Sequence, residues 1–167
     1  MSANQHSSGR QGRLLTIWAP EDKSFWEREG EAVAKLNLWI SVPALFLAFA
    51  IWQVWSVVAV SLPGLGFKYS TNQLFWLAAA PALSGATLRI FYSFMVPLVG
   101  GRRWTSISTA TLLIPAIGIG YAVQDNTTSY PTMLVLALLC GLGGGNFSSS
   151  MANISFFFPQ ERKGSAL

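Results

Sequence analysis

The sequence predicts an all-α membrane protein with four transmembrane helices, and three observations carry that reading. Four apolar runs follow one another along the 167-residue chain, and a crossing helix needs about 20 mostly apolar residues. Only 11% of residues are charged against 51% apolar, with a mean hydropathy of +0.42, whereas soluble domains carry roughly a quarter charged residues. The runs are continuous rather than alternating in short segments, so helices are expected and not a barrel.

Residues 1–35 form a polar tail that holds about half of all the charges. The start, Met1-Ser-Ala-Asn-Gln-His, lacks the basic stretch and apolar core of a cleavable signal, and residues 1–13 are expected to be disordered. Further along, Trp18, Phe25 and Trp26 are mixed with charge, and Ser24 with Glu27 three residues later fits a capping box. A short amphipathic helix at the membrane surface is expected there.

The transmembrane domain is expected over 36–167, with helices at about 36–62, 71–98, 104–123 and 131–158. Pro63-Gly-Leu-Gly-Phe-Lys-Tyr-Ser joins the first pair, Gly100-Gly-Arg-Arg the second, and Gln124-Asp-Asn-Thr-Thr-Ser-Tyr the third. With the N-terminus inside, nine of the eleven basic residues fall on the inner side, Lys68 falls outside, and Arg89 lies in the membrane. Short inner loops are richer in Lys and Arg, so the N-terminus is expected in the cytoplasm.

The net charge of +4 and pI near 9.6 do not point to nucleic acid, because the basic residues flank membrane segments rather than forming a patch on a folded domain. The lone Cys140 excludes an internal disulfide, and the lone His6 excludes a haem held by two histidines of this chain. No metal and no cofactor are expected, and no enzymatic chemistry.

Arg89 is the one charge at membrane depth. An arginine at the centre of a crossing helix costs about 3 kcal/mol on insertion scales, so it must face protein or a watery cavity. The positions on its helical face are Ala82, Gly85, Tyr92 and Ser93, small or polar as a packed or cavity-lining face requires. All seven acidic residues lie in the tail or the loops. The functional reading is that a small anion supplies the missing charge, held by the planar guanidinium fork. The competing one is a structural arginine bonded to backbone carbonyls or to a carboxylate on another segment.

The fourth segment adds Gly141 and Gly145, spaced for close helix approach, and a polar stripe of Asn146, Ser149, Ser150 and Asn153 that should look inward. Phe147 falls near the depth of Arg89 and offers an aromatic flank for a bound anion, or simple packing. Asn146 is a further binding candidate. Arg102 and Arg103 read as a cytoplasmic loop marker.

Several stretches carry a resemblance: Trp18-Ala-Pro-Glu-Asp with Phe25-Trp26, Asn37-Leu-Trp-Ile-Ser, Ser84-Gly-Ala-Thr-Leu-Arg, and Val96-Pro-Leu-Val-Gly-Gly-Arg-Arg-Trp. The longest is Gly145-Asn-Phe-Ser-Ser-Ser-Met-Ala-Asn-Ile-Ser-Phe-Phe-Phe-Pro. From Trp18 to Leu167 the chain resembles the nitrate/nitrite porters (NarK type) of the major facilitator superfamily. The resemblance implies a twelve-helix protein of two halves with substrate near the midplane and alternating access. It also implies nitrate or nitrite gripped by one arginine from each half between aromatic rings, with Arg89 and Phe147 matching two of these. The superfamily's usual aspartate after the second helix is absent from Gly100-Gly-Arg-Arg, so its gating role is not carried over.

The chain is accordingly expected to be the N-terminal part of such a porter, cut before the fifth helix, in the bacterial inner membrane. Its partners would be nitrate, nitrite, the bilayer and the missing helices, and four helices with half a site should not transport alone. Two alternatives remain at this point: a porter for another small anion, and a non-transporting anchor subunit of a membrane complex.

Overall fold

The computed structural model describes residues 18–166, so the expectation for residues 1–13 lies outside the described residues. Among the described residues, four helices are long and apolar enough to cross a membrane: α1 (Lys23–Leu65), α2 (Thr71–Val99), α3 (Gly101–Ala122) and α4 (Tyr130–Phe157). A short fifth helix, α5 (Gln160–Ala166), follows. This is the all-α, four-crossing architecture that the apolar runs predict.

α1 differs from expectation at its start. The amphipathic turn and the first crossing form one continuous helix of 43 residues, about 65 Å at 1.5 Å per residue. That exceeds a bilayer core of about 30 Å, so the charged first turns extend beyond the apolar part. Asp22, not Ser24, is the N-cap: its carboxylate accepts from the N–H groups of Ser24 (2.9 Å) and Phe25 (3.4 Å). A single π-type turn, Trp26–Gly30, joins the capped start to the regular helix. At the far end a 3-10 turn, Leu62–Leu65, closes on Gly66 at φ +90°, a conformation suited to glycine.

α2 begins with a true capping box. The Ser70 hydroxyl accepts from Gln73 N–H (3.3 Å), and the Gln73 side chain accepts from Ser70 N–H (2.9 Å). It ends at Gly100, whose φ of +89° turns the chain in one residue. Gly101, Arg102 and Arg103, expected as loop, therefore form the first turn of α3.

α4 is the hub, packed most extensively against α2 and then α1. Small residues make this possible. A methyl placed on Gly85 would lie 3.2 Å from the Gly141 carbonyl and 3.5 Å from the Gly144 Cα. A methyl on Gly143 would run into the Ala48 carbonyl of α1. Of the expected close-approach pair, Gly141 faces the α2 backbone, while Gly145 lies against the Leu88 and Tyr92 side chains.

Two apolar clusters hold the ends. One gathers Trp55, Leu77, Met133, Ala137 and Cys140 with their neighbours, and the buried Trp55 indole N–H donates to the Leu77 carbonyl at 2.7 Å. The other joins Trp26 and Ala34 to Ile154 and Phe158. Between them lies the depth of Arg89.

Candidate functional site

Arg89 sits two-thirds along α2, where that helix meets α4. Its predicted face divides: Gly85 and Tyr92 are buried in the seam, while Ala82 and Ser93 lie on the open side. The guanidinium thus emerges at the edge of the seam, half-buried. Its Nε–H donates to the Gly144 carbonyl at 3.2 Å, and its Cζ stands 5.6 Å from the centroid of the Phe147 ring. An arginine within about 6 Å of an aromatic face is attracted by the ring quadrupole.

One helix supplies both contacts. Gly144 and Phe147 are three residues apart on α4 and so lie on one face of it. Without a side chain at Gly144, the carbonyl stays open to Arg89, and α2 comes close enough to deliver it. No carboxylate pairs with Arg89 among the described residues; the ion pairs found, Lys35–Glu31 (3.0 Å) and Arg162–Glu31 (3.3 Å), lie elsewhere. With Nε committed to a carbonyl, the four N–H groups on the outer edge remain for a ligand.

Phe147 is the partly exposed member of the pair, at 36%. Its ring meets Phe49 of α1 edge-on at 6.0 Å, and Phe49 stacks with Trp52 at 5.9 Å. An aromatic wall from two helices therefore continues outward from Arg89. Sequence reasoning did not single out Phe49 or Trp52. The available signal was position, because Phe49 falls at the middle of the first apolar run.

Asn146 is placed differently. It is 3% exposed, and no hydrogen bond joins its amide to Arg89 among the described residues. Its backbone carbonyl accepts from the Ser149 hydroxyl at 3.1 Å. The rest of the stripe is also buried between helices, and Asn153 Nδ2 donates to Asn37 Oδ1 at 2.9 Å. Arg102 and Arg103 are exposed in the first turn of α3.

The arrangement offers a cation held by one carbonyl beside an aromatic wall, on one of the four helices apolar enough to cross a membrane. Such a site suits a small, flat anion, because the bidentate fork matches two oxygens and the ring faces displace water. The described residues contain no group of three or more His, Cys, Asp or Glu placed to hold a metal.

Comparison with known proteins adds a second line. The chain is 56% identical over 154 residues to the nitrate/nitrite transporter NarU of Salmonella typhimurium, covering 92% of this chain and 33% of the relative. It is 55% identical over 154 residues to NarU of Escherichia coli, with 92% and 33% covered. The probable nitrate/nitrite antiporter NarK2 of Thermus thermophilus is 47% identical over 156 residues, with 93% and 34% covered. The chain thus spans about a third of the length of these curated relatives. No family model matches.

Proposed function

We propose that this chain, which belongs to the nitrate/nitrite porter (NarK-type) family, forms part of a transporter that moves nitrate and nitrite across the bacterial inner membrane. In this reading the anion docks on the outer edge of Arg89, beside the Phe147 ring. A second cationic group comes from another part of the complete protein, and the site opens to each side in turn. The work is transport, with no bond of the substrate broken.

The observation that carries the reading is the state of Arg89. It is a charge at membrane depth, oriented by one carbonyl and one ring, with no acid among the described residues to neutralise it. A purely structural arginine would spend its outer edge on backbone carbonyls as well, and among the described residues only Nε is so engaged. The names of the relatives supply the identity of the anion. Asn146 is kept in the proposed site on the strength of the sequence pattern, with its side chain buried in the seam beside Phe147.

The test uses the complete transporter in proteoliposomes loaded with nitrite and fed nitrate. Arg89→Lys keeps the charge but removes the fork, and exchange should be lost. A lysine variant with undiminished exchange would sink the anion clamp.

A further inference from the structure

Pro81 lies inside α2, and the helix runs through it without a break. A proline has no N–H, so the carbonyl four residues earlier loses its helical donor. Here that carbonyl belongs to Leu77. Pro43 and Pro97 leave the carbonyls of Trp39 and Ser93 in the same state. Those two residues are exposed, whereas Leu77 is fully buried. A buried carbonyl without a donor is costly, and in lipid the replacement must come from protein.

The replacement comes from α1. The Trp55 indole N–H donates to the Leu77 carbonyl at 2.7 Å, and Trp55, Leu77 and Pro81 are all fully buried. Tryptophan suits the position because it carries one donor and no acceptor on a large apolar ring. The ring itself packs within the cluster of Met133, Ala137 and Cys140. From the α4 side, a methyl on Gly141 would lie 2.7 Å from the Pro81 carbonyl, and the Ser84 hydroxyl donates to the Leu138 carbonyl at 2.8 Å. At Pro81, then, α2 is held by its neighbours where its own ladder is interrupted.

We propose that Trp55 is a positioning residue for Arg89: its indole N–H stands in for the backbone donor that Pro81 lacks, and so fixes the direction in which α2 carries Arg89 to the Gly144 carbonyl. The inference rests on the transport reading for Arg89 being the residue to position. Arg89 follows Pro81 by eight residues, about 12 Å along the helix. A change of about 10° in direction at Pro81 moves the root of the Arg89 side chain by about 2 Å. Its Nε bond to the Gly144 carbonyl, 3.2 Å long, does not survive such a shift.

The experiment is a two-by-two set in the complete transporter: the parent, Trp55→Phe, Pro81→Ala and the double variant. Trp55→Phe keeps an aromatic ring and removes the N–H, while Pro81→Ala returns a helical donor to Leu77. Each protein is read twice, by Tm in detergent without nitrate and by the nitrate dependence of exchange in proteoliposomes. Trp55→Phe is expected to lower Tm by about 3 °C. It should also raise the KM for nitrate about 10-fold, with a smaller change in kcat. In the Pro81→Ala background both effects of Trp55→Phe should largely vanish. Equal effects in the two backgrounds overturn the proposal and leave the ring as packing alone. Coupling in Tm with KM unmoved confines the bond to stability and overturns the positioning of Arg89. Should Trp55→Phe alone fail to fold, the double variant is expected to restore folded, exchanging protein, and no such recovery overturns the proposal too. Exchange by the parent is measured first, so a failed nitrate reading shows itself there, while the Tm cycle still decides the Trp55–Leu77 bond.

Discussion

An arginine has five N–H donors, and Gly144 takes the one nearest the stem of Arg89. That single bond fixes the plane of the guanidinium while sparing its outer edge, and the Phe147 ring limits rotation about it. A ring contact of this kind contributes about 0.5–2 kcal/mol depending on desolvation. In the complete transporter, Phe147→Leu should therefore weaken apparent nitrate affinity by about 2- to 30-fold, with Phe147→Tyr close to the parent. The nitrate dependence of exchange measures this, and equal KM values for all three proteins would remove the ring from the site. At the opposite extreme of exposure, the Asp125 carboxylate accepts from the Thr127 hydroxyl (2.6 Å) and N–H (2.9 Å) in the loop before α4. Those bonds, the hydroxyl first, hold its pKa below the ordinary 3.8. A depressed carboxylate stabilises the fold above its unfolded pKa, and this support fades as pH falls through the folded value. The difference in Tm between the parent and Asp125→Asn should be steady from about pH 7 to 5 and should shrink below about pH 4. A difference that stays constant down to about pH 2 would show that the turn carries no such linkage.

Among the elements, α4 decides how closely everything else can pack, and its glycines are not equivalent. Gly143 faces the Ala48 carbonyl, a backbone atom that moves only if α1 moves, whereas nothing lies within 4 Å of a methyl at Gly120 in α3. Gly143→Ala should destabilise by about 1–3 kcal/mol through overpacking. Gly120→Ala should be neutral or stabilising by up to about 1 kcal/mol, because alanine is the better helix former. Thermal unfolding in detergent separates them, and matching Tm values would mean that the α1–α4 seam is looser than its geometry implies. The same element shows what was legible beforehand. Arg89 is visible in the sequence because a lone charge in an apolar run has no neutral explanation, and the α4 stripe because polar groups in lipid must turn inward. Phe49 is marked by nothing but its place at the middle of the first apolar run, since an aromatic in a run already rich in Trp and Phe does not otherwise stand out. The cap was misread for a related reason: Asp22 and Ser24 both suit an N-cap, and only the path of the backbone chooses between them. The α1 start was misread because charge alone does not break a helix, so the tail and the crossing run together.

At the scale of the whole molecule, side-to-side segregation is the feature that a membrane protein must get right. The Trp18–Phe156 and Glu21–Gln160 contacts put the start of α1 and the end of α4 on one side, as an even number of crossings requires. On the other side, the Tyr69 hydroxyl donates to the Thr128 carbonyl, and the rings of Tyr69 and Tyr130 meet edge-on at 5.7 Å, tying the α1–α2 loop to the α3–α4 loop. Charge distinguishes the two sides sharply. Arg102, Arg103, Arg162 and Lys163 accompany the first, and Lys68 alone accompanies the second. Basic residues in short loops are retained in the cytoplasm, so we expect the side of Trp18 to be inner. In the complete transporter made free of native cysteines, Lys68→Cys should react with a membrane-impermeant maleimide added to intact cells. Arg103→Cys, exposed in the first turn of α3, should react only after the membrane is opened. Labelling of Arg103→Cys in intact cells with Lys68→Cys protected would invert the protein. Labelling of both, or of neither, would break the pairing between the two tied ends and the two faces of the membrane, and with it the four-crossing path on which the depth of Arg89 depends.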